Sequence, residues 1–200
     1  MTTFVLLRHA AHGWLGRGLA GRLPQVALDA AGRQQAQELV ARFAGVPITA
    51  ICSSPQRRTQ QTAQALAASR GLPVGIEASF DEIDFGAWTG REFEQLRGTD
   101  GWDQWVHRRG SACPPGGEPF AGVAVRATQG LERLRQAHPE GCVLVVSHGD
   151  VIKAMLATCL GMSLDHLERL EIAPASASVL AMGEDWRQVR LINGQGPLSP

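Results

Sequence analysis

The 200-residue sequence has no net charge, because 19 basic and 19 acidic side chains balance one another. Without a global positive field the chain has no general means of holding DNA, RNA or an anionic membrane, so we expect neither nucleic acid nor membrane among its partners. It also contains no apolar run near the roughly 20 residues that a membrane span requires. The first apolar run meets Arg8 after four residues, too soon for a signal peptide, and this predicts a cytoplasmic protein.

Cysteine is scarce, and its spacing argues against a disulfide framework. The four cysteines lie far apart and form no C-x-x-C pair, and two of them lie within apolar runs. This pattern indicates reduced thiols in a protein core. No spacing of histidines and carboxylates suits a metal ion either, and His9 with His12 alone does not make a metal site.

The composition is that of a folded chain, since 44% of the residues are hydrophobic and 19% are charged. At this length one domain is favoured over two. We predict a single domain over residues 1–194, in which the glycine- and tryptophan-containing stretch 78–118 forms an irregular lid lobe. Residues 195–200 are predicted to be a loose C-terminal tail.

Short apolar runs of strand length alternate with stretches of helical periodicity. This alternation predicts a three-layer α/β/α sandwich around a mostly parallel sheet. Asp29 is expected to cap the first helix, and Ser53, Ser54 and Pro55 to open the second. The predicted strands are 3–7, 50–53, 74–77 and 142–146, followed by a hairpin of 178–182 and 187–192, and the predicted helices are 30–43, 55–70, 119–137 and 151–160.

Basic side chains follow three of the predicted strands, where open α/β sheets bind their ligands. Arg8 and His9 end the first strand, the segment SSPQRRTQQTA follows the second, and Ser147-His148-Gly149-Asp150 follows the strand CVLVV. Each feature has a plainer interpretation: a surface pair, a solvated helix start, or a core histidine at position 148. Their coincidence at strand ends favours a binding site of positive charge.

Such a cluster suits a phosphoryl group, which carries about −1.5 to −2 charge and three acceptor oxygens. Arginine pairs with these oxygens through two parallel N–H groups. A neutral histidine can attack phosphorus, because its ordinary pKa of about 6.5 leaves a ring nitrogen unprotonated at pH 7. The covalent route also needs an acid for the leaving oxygen, which predicts a carboxylate nearby.

The chain resembles the histidine phosphatase superfamily, whose fold is phosphoglycerate-mutase-like. Its apolar strand ending in Arg-His is similar to VLLRHA, and its Ser-Ser-x-x-x-Arg motif to SSPQRRTQQTA, which selects Arg58 rather than Arg57. The stretch EIDFGAWTG resembles the family's third motif and supplies Glu82, and SHG resembles the fourth. These motifs extend in the family's order from residue 4 to about 160.

The resemblance implies a catalytic role for each matched residue. His9 resembles the nucleophile that becomes phosphohistidine, and Glu82 the general acid and then the base for water. Arg8, Arg58 and His148 would hold the phosphoryl oxygens, with the backbone N–H of Gly149 as a further donor. No metal and no organic cofactor is implied, and the partner is a small-molecule phosphate ester.

The sequence departs from the family pattern next to the nucleophile. Ala10, Ala11 and His12 stand where the family often has Gly, Glu and Thr, and Thr59 replaces an alanine. His12 either supplies another phosphate donor or is an exposed loop histidine. Arg22 is expected as a substrate contact at the rim of the site.

The sequence predicts a phosphomonoesterase and leaves two alternatives. One is a phosphoglycerate-type mutase, although only 66 positions separate Glu82 from His148 and Arg108-Arg109 is the only basic pair between them. The other is a non-catalytic phosphate-binding protein, which would need neither His9 nor Glu82. The sequence specifies neither the substrate nor the oligomeric state. Four tryptophans are expected to line the pocket: Trp14, Trp88, Trp102 and Trp105.

Overall fold

A computed structural model describes residues 1–198 of the chain. Its six strands are β1 (Thr2–Arg8), β2 (Ala50–Ser53), β3 (Val74–Ile76), β4 (Cys142–Ser147), β5 (Ala177–Met182) and β6 (Arg187–Gly194). They form one sheet in the order β3-β2-β4-β1-β5-β6. The first four strands in that order pair in parallel, whereas β5 is antiparallel to both β1 and β6. The prediction of a mostly parallel sheet that ends in a hairpin is therefore confirmed.

Helices connect the strands and cover both faces of the sheet. They are α1 (Ala30–Arg42), α2 (Arg57–Arg70), α3 (Phe93–Leu96), α4 (Trp102–His107), α5 (Phe120–Ala137) and α6 (Gly149–Leu160), with 3-10 turns at Ala78–Phe80, Gly86–Trp88, Arg109–Ser111 and Leu164–Arg169. No helix of the described residues is long and apolar enough to cross a membrane.

Two hydrophobic clusters, one on each face of the sheet, produce the three layers. Alternate residues of a strand point to opposite faces, so Phe4 and Leu6 of β1 join the α5 and α6 side while Val5 and Leu7 join the α1 and α2 side. Strand β4 is buried along its whole length, which is typical of a strand covered on both faces. The predicted three-layer α/β/α sandwich is confirmed.

Helix caps follow the sequence in one case and depart from it in another. The Asp29 side chain accepts a hydrogen bond from the Gly32 N–H at 2.8 Å, as expected for an N-cap. Helix α2 begins later than predicted, at Arg57, after Gln56, whose side chain makes no capping bond. The Ser54 hydroxyl does not serve only as a cap for α2, because it also lies 2.8 Å from a ring nitrogen of His148.

The stretch 78–118, predicted to be a lid lobe, contains only two short α-helices, α3 and α4, and three 3-10 turns. The tail departs from its prediction over residues 195–198. Leu198 is buried, and the Arg42 guanidinium donates to the carbonyl oxygens of Ala175, Gly194 and Gly196 at 2.7 to 2.8 Å. This part of the tail is packed against α1 rather than loose, and residues 199–200 lie outside the described part of the chain.

Candidate active site

A cavity of about 390 Å³ opens at the carboxyl ends of β1 and β4. The sheet order explains its place: β4 lies between β1 and β2, and the register sets Arg8 opposite Ser147 and Ser53 opposite Val146. The segments that follow these strands therefore converge on one edge of the sheet. Its lining does not include His148, but it includes the predicted donor Gly149 and the other four of the five catalytic candidates: Arg8, His9, Arg58 and Glu82.

His9 is held with one ring nitrogen turned to the protein and the other left for chemistry. Its Nδ1 lies 2.8 Å from the carbonyl oxygen of Ala10. Because a carbonyl oxygen only accepts, Nδ1 carries the proton and Nε2 bears the lone pair. The Ala10 N–H in turn donates to the Thr62 hydroxyl of α2 at 3.1 Å, which ties the loop after β1 to that helix.

Burial keeps His9 neutral. The side chain is 2% exposed, and burial, followed by the charges of Arg58 and Arg8, lowers its pKa well below the ordinary value of 6.5. A neutral imidazole keeps the Nε2 lone pair that a nucleophile needs. His9 therefore has the protonation state and tautomer of an attacking histidine across the neutral pH range.

Arg8 and Arg58 bring unpaired donors into the same cavity. Among the residues that the structure describes, five buried side-chain nitrogen or oxygen atoms have no hydrogen-bond partner, and three are Arg8 Nε, Arg58 Nε and Arg58 Nη1. Leaving such groups unpaired is costly, so they mark the place of an acceptor with several oxygens. A Cβ on Gly149 would lie 3.3 Å from Arg8 Cζ and Nε, so glycine allows the guanidinium close to the first turn of α6.

His148 is fully buried beside Arg58, and both of its ring nitrogens are engaged. Arg58 Nη2 lies 3.1 Å from Nδ1, and because a guanidinium only donates, Nδ1 accepts. Nε2 then donates to the Ser54 hydroxyl at 2.8 Å, which donates to Asp81 Oδ1 at 3.2 Å. The chain of bonds orients Arg58, and a direct contact of His148 with phosphate would require a proton on Nδ1.

Glu82 lies beside both Arg58 and His148. Its Oε2 is 3.6 Å from Arg58 Nη2 and 3.4 Å from His148 Nδ1, and its Oε1 accepts from the Ile83 N–H at 3.0 Å. Burial raises the Glu82 pKa from 4.5 to about 7, and outweighs the opposite effect of Arg58. A carboxyl group with this pKa is able to donate a proton near neutrality and to take one back.

The two remaining predicted contacts have different outcomes. His12 is buried in the cavity wall, with its ring centroid 4.9 Å from that of His9, so the alternative of an exposed loop histidine is wrong. Its Nδ1 accepts from the Trp14 N–H at 3.2 Å, which leaves Nε2–H as a donor. Burial, with the charges of Arg58 and Arg8, lowers the His12 pKa to about 4.

Arg22 is not placed at the cavity as expected. Its guanidinium donates to the Glu82 carbonyl oxygen at 2.8 Å and to Glu118 Oε1 at 2.8 Å, and pairs with Asp81 at 3.3 Å. It lines a separate shallow groove beside α2. Arg22 therefore fixes the backbone of the segment that carries Glu82, and it lies outside the cavity lining instead of at the expected rim position.

The tryptophan prediction is correct only for Trp14, which lines the cavity. Trp88, Trp102 and Trp105 pack against one another edge to face, with ring centroids 5.5 to 5.9 Å apart. They belong to the apolar cluster beneath the lid lobe, together with the buried Phe85 and Leu96. No periodic signal distinguishes this cluster from a pocket wall.

Several cavity residues were not predicted from the sequence. Lys153 and Asp150 of α6 and the exposed Glu171 line the cavity. Asp150 pairs with Arg109 at 2.7 Å, which connects the lid lobe to the first turn of α6. The spacing of Gly149 and Lys153, four residues apart on a helix, was a signal that could have placed the lysine.

Comparisons with known proteins agree with the motifs and the fold. Residues 4–195 match the histidine phosphatase superfamily (branch 1). The chain is 32% identical over 195 residues to phosphoserine phosphatase 1 of Hydrogenobacter thermophilus, across 96% of this chain and 92% of that protein. It is 27% identical over 192 residues to the adenosylcobalamin/alpha-ribazole phosphatase of Escherichia coli, across 95% of each.

A solved structure shows the same architecture. The phosphoserine phosphatase of Entamoeba histolytica in complex with 3-phosphoglyceric acid matches with a TM-score of 0.89 and 25% identity, over 98% of both chains. The predicted phosphoglycerate-mutase-like fold is thereby confirmed. Because the sequence match extends through nearly the whole chain and includes the strand ends that build the cavity, this protein belongs to the histidine phosphatase superfamily, branch 1.

Proposed function

We propose that this protein is a phosphomonoesterase that hydrolyses a small phosphate ester through a phosphohistidine on His9. The observation that carries the proposal is the unprotonated Nε2 of His9 beside three buried, unpaired guanidinium nitrogens of Arg8 and Arg58. The nitrogens suit the oxygens of a phosphoryl group, and Nε2 suits its phosphorus. Relatives named as phosphatases support the same class of reaction.

In the first half-reaction, His9 Nε2 attacks phosphorus and the bond from phosphorus to the ester oxygen breaks. Glu82 gives its proton to the departing oxygen, so the alcohol leaves neutral. In the second half-reaction, water attacks phosphorus, Glu82 takes the water proton, and the phosphorus–nitrogen bond breaks to release inorganic phosphate. Arg8 and Arg58 balance the charge on the phosphoryl oxygens in both transition states.

The proposed reaction is metal-independent. Arg8 and Arg58 supply the positive charge that a metal ion supplies in other phosphatases, and His148 with Ser54 holds Arg58 in place. Every proton in the two half-reactions is handled by Glu82. We place the reaction in the cytoplasm, where the four unpaired cysteines would stay reduced.

The substrate is proposed to be small. The cavity volume of about 390 Å³ lies at the low end of the range for ligand pockets, and Trp14, Phe85 and Phe93 give it apolar walls beside its charged base.

The Glu82 pKa of about 7 favours an enzyme over a phosphate-binding protein, because binding alone gives no reason to bury a carboxyl group against the site.

Hydrolysis of p-nitrophenyl phosphate between pH 5 and 8, in the presence of EDTA, tests the proposal. We expect the wild-type protein to turn over with the chelator present, and His9→Ala to lose turnover by several orders of magnitude. His107→Ala, which removes an exposed histidine of the lid lobe, is the matched control and should keep the wild-type rate. A His9→Ala protein that retains most of the activity would exclude His9 as the nucleophile.

A further inference from the structure

The cavity contains the one lysine of the chain. The sequence has 18 arginines and a single lysine, Lys153, and that lysine lines the same cavity as His9 and Glu82. The side chain is half-buried, and the ion pairs of residues 1–198 do not include its ammonium group. A partly buried cation without a protein partner, inside the site, has a charge to offer a ligand.

The helix places this charge beyond the phosphoryl position. Lys153 is four residues after Gly149, so both lie on one face of α6 with Lys153 about 6 Å further along the axis. Side chains on a helix lean towards its N-terminus, which brings the ammonium group back towards the first turn. At that turn Arg8 and Arg58 already supply three unpaired donors for the phosphoryl oxygens, so the Lys153 ammonium group is left for the rest of the ester.

The acidic residues nearby leave Lys153 available. Asp150 pairs with Arg109 at 2.7 Å, and the Arg109 guanidinium is fixed 4.5 Å above the Trp105 ring. Glu171 lies at the exposed rim of the cavity. Asp150 is therefore neutralised from the lid lobe and does not need Lys153.

We propose that Lys153 binds a carboxylate on the organic part of the substrate, so that phosphate esters of small hydroxy acids are preferred over esters of neutral alcohols. The assignment rests on the proposed phosphatase function and specifies its substrate class. One ammonium group balances one carboxylate. A second phosphate, with about −1.5 to −2 charge, would be only partly balanced and would lie near Glu171.

Two esters that differ only at the group in question provide the test. In D-3-phosphoglycerate a carboxylate stands where sn-glycerol 1-phosphate has a hydroxymethyl group, and the configuration of the middle carbon is the same in both. We expect the wild-type kcat/KM to favour 3-phosphoglycerate about tenfold or more, as for one charge-assisted bond. Lys153→Met should bring the ratio close to one, and Lys153→Arg should restore a large part of it.

Arg187→Met, which removes an exposed charge from the edge strand β6, is the matched control and should keep the wild-type ratio. A wild-type ratio near one, or a Lys153→Met ratio equal to that of the wild type, would overturn the assignment while the phosphatase function stands.

Propane-1,3-diol bisphosphate is the second probe. If it is preferred over 3-phosphoglycerate and Lys153→Met removes that preference, the carboxylate is wrong and Lys153 binds a second phosphate. If the wild-type protein hydrolyses none of these esters and no p-nitrophenyl phosphate, the phosphatase function is overturned, and this assignment with it.

A chemical readout covers the case in which Lys153→Met does not fold. An amine-reactive reagent modifies one lysine in this chain, and mass spectrometry follows that site alone. In the His9→Ala protein, which should bind esters without turnover, 3-phosphoglycerate at about ten times its Kd should slow the modification of Lys153 about tenfold. Protection of equal size by sn-glycerol 1-phosphate at the same occupancy would contradict a contact with the carboxylate.

Discussion

At the residue scale, burial moves the pKa values of His9 and Glu82 in opposite directions. The His9 side chain is removed from water and the Glu82 side chain is largely so, and a low-dielectric setting favours the neutral form of each. For His9 the neutral form is the nucleophile, and for Glu82 it is the acid. The same physical cause therefore prepares both partners of the first half-reaction at pH values below about 7.

Glu82→Gln is expected to separate the two half-reactions by leaving group. Nitrophenolate leaves without a proton, so the variant should still release about one equivalent of nitrophenol rapidly and then turn over slowly. An alkyl phosphate such as glycerol 2-phosphate needs the acid, and its phosphorylation step should slow by about 100-fold or more. Rapid-quench kinetics with both esters measure the two effects. Equal slowing of phosphorylation by both esters would contradict the role of Glu82 as acid.

The wild-type pH profile provides the control for this prediction. The kcat/KM for the alkyl ester should fall as the pH rises through the Glu82 pKa of about 7, because the free enzyme then loses its acid. The fall should be absent from the remaining activity of Glu82→Gln.

The sequence identifies residues at strand ends well and residues defined by partners poorly. His9 and His148 follow strongly apolar strands, so the sheet itself brings them to one edge. Ser54 and Asp81 were missed because their importance comes from the bond to His148, 94 positions from Ser54, which no periodicity encodes. Arg22 was misplaced for the same reason, since its partners Asp81 and Glu118 become its neighbours only in the fold.

At the element scale, α2 decides which of two adjacent arginines enters the site. Successive helical residues point about 100° apart, so Arg57 and Arg58 cannot share a face. Arg58 is 1% exposed and lines the cavity, whereas Arg57 is exposed beside the outer groove. The resemblance of SSPQRRTQQTA to the family motif selects the same arginine from the sequence.

Arg58→Ala should therefore reduce kcat/KM for p-nitrophenyl phosphate by about tenfold or more, since a charge-assisted bond is worth roughly 1.5–3 kcal/mol. Arg57→Ala, one position away, should stay within about twofold of the wild type because Arg57 reaches no cavity atom. Circular dichroism of both variants checks that each is folded. The opposite order of effects would mean that α2 presents its other face to the substrate.

Elements with a strong period are predictable here, and elements shaped by local packing are not. Helix α5 and strand β4 follow from apolar periodicity and from a continuous apolar run. The four-residue α3 and six-residue α4 are too short to show a period, and α4 itself carries two of the three packed tryptophans. The late start of α2 has a similar origin, because Ser54 is bound to His148.

At the scale of the whole molecule, burying ionisable groups for catalysis should make stability depend on pH. The pKa values of His9, His12 and His148 are all lowered in the fold. Below pH 6.5 the histidines of the unfolded chain bind protons, whereas those of the folded chain stay neutral. The free energy of unfolding therefore decreases as the pH is lowered, by up to about 1.4 kcal/mol per pH unit for each histidine. Glu82 acts oppositely between pH 7 and 4.5, because its raised pKa lets the folded state bind the proton first.

His12→Asn isolates one of these contributions. The asparagine oxygen can accept the hydrogen bond from the Trp14 N–H as Nδ1 does, while the titrating group is removed. Between pH 6.5 and about 4.5, urea unfolding should show a shallower loss of stability in the variant, by up to about 1.4 kcal/mol per pH unit. Parallel curves for the two proteins would show that His12 is not held neutral by the fold.

The most direct test of the account is detection of the covalent intermediate. The Glu82→Gln protein, in which we expect hydrolysis of the intermediate to be slow, is mixed with p-nitrophenyl phosphate and quenched in alkali, which preserves phosphohistidine. Peptide mapping by mass spectrometry should then find one phosphoryl group on His9, close to one equivalent per chain. A quenched protein without phosphate, or with phosphate on another residue, would contradict the assignment of His9 as the nucleophile.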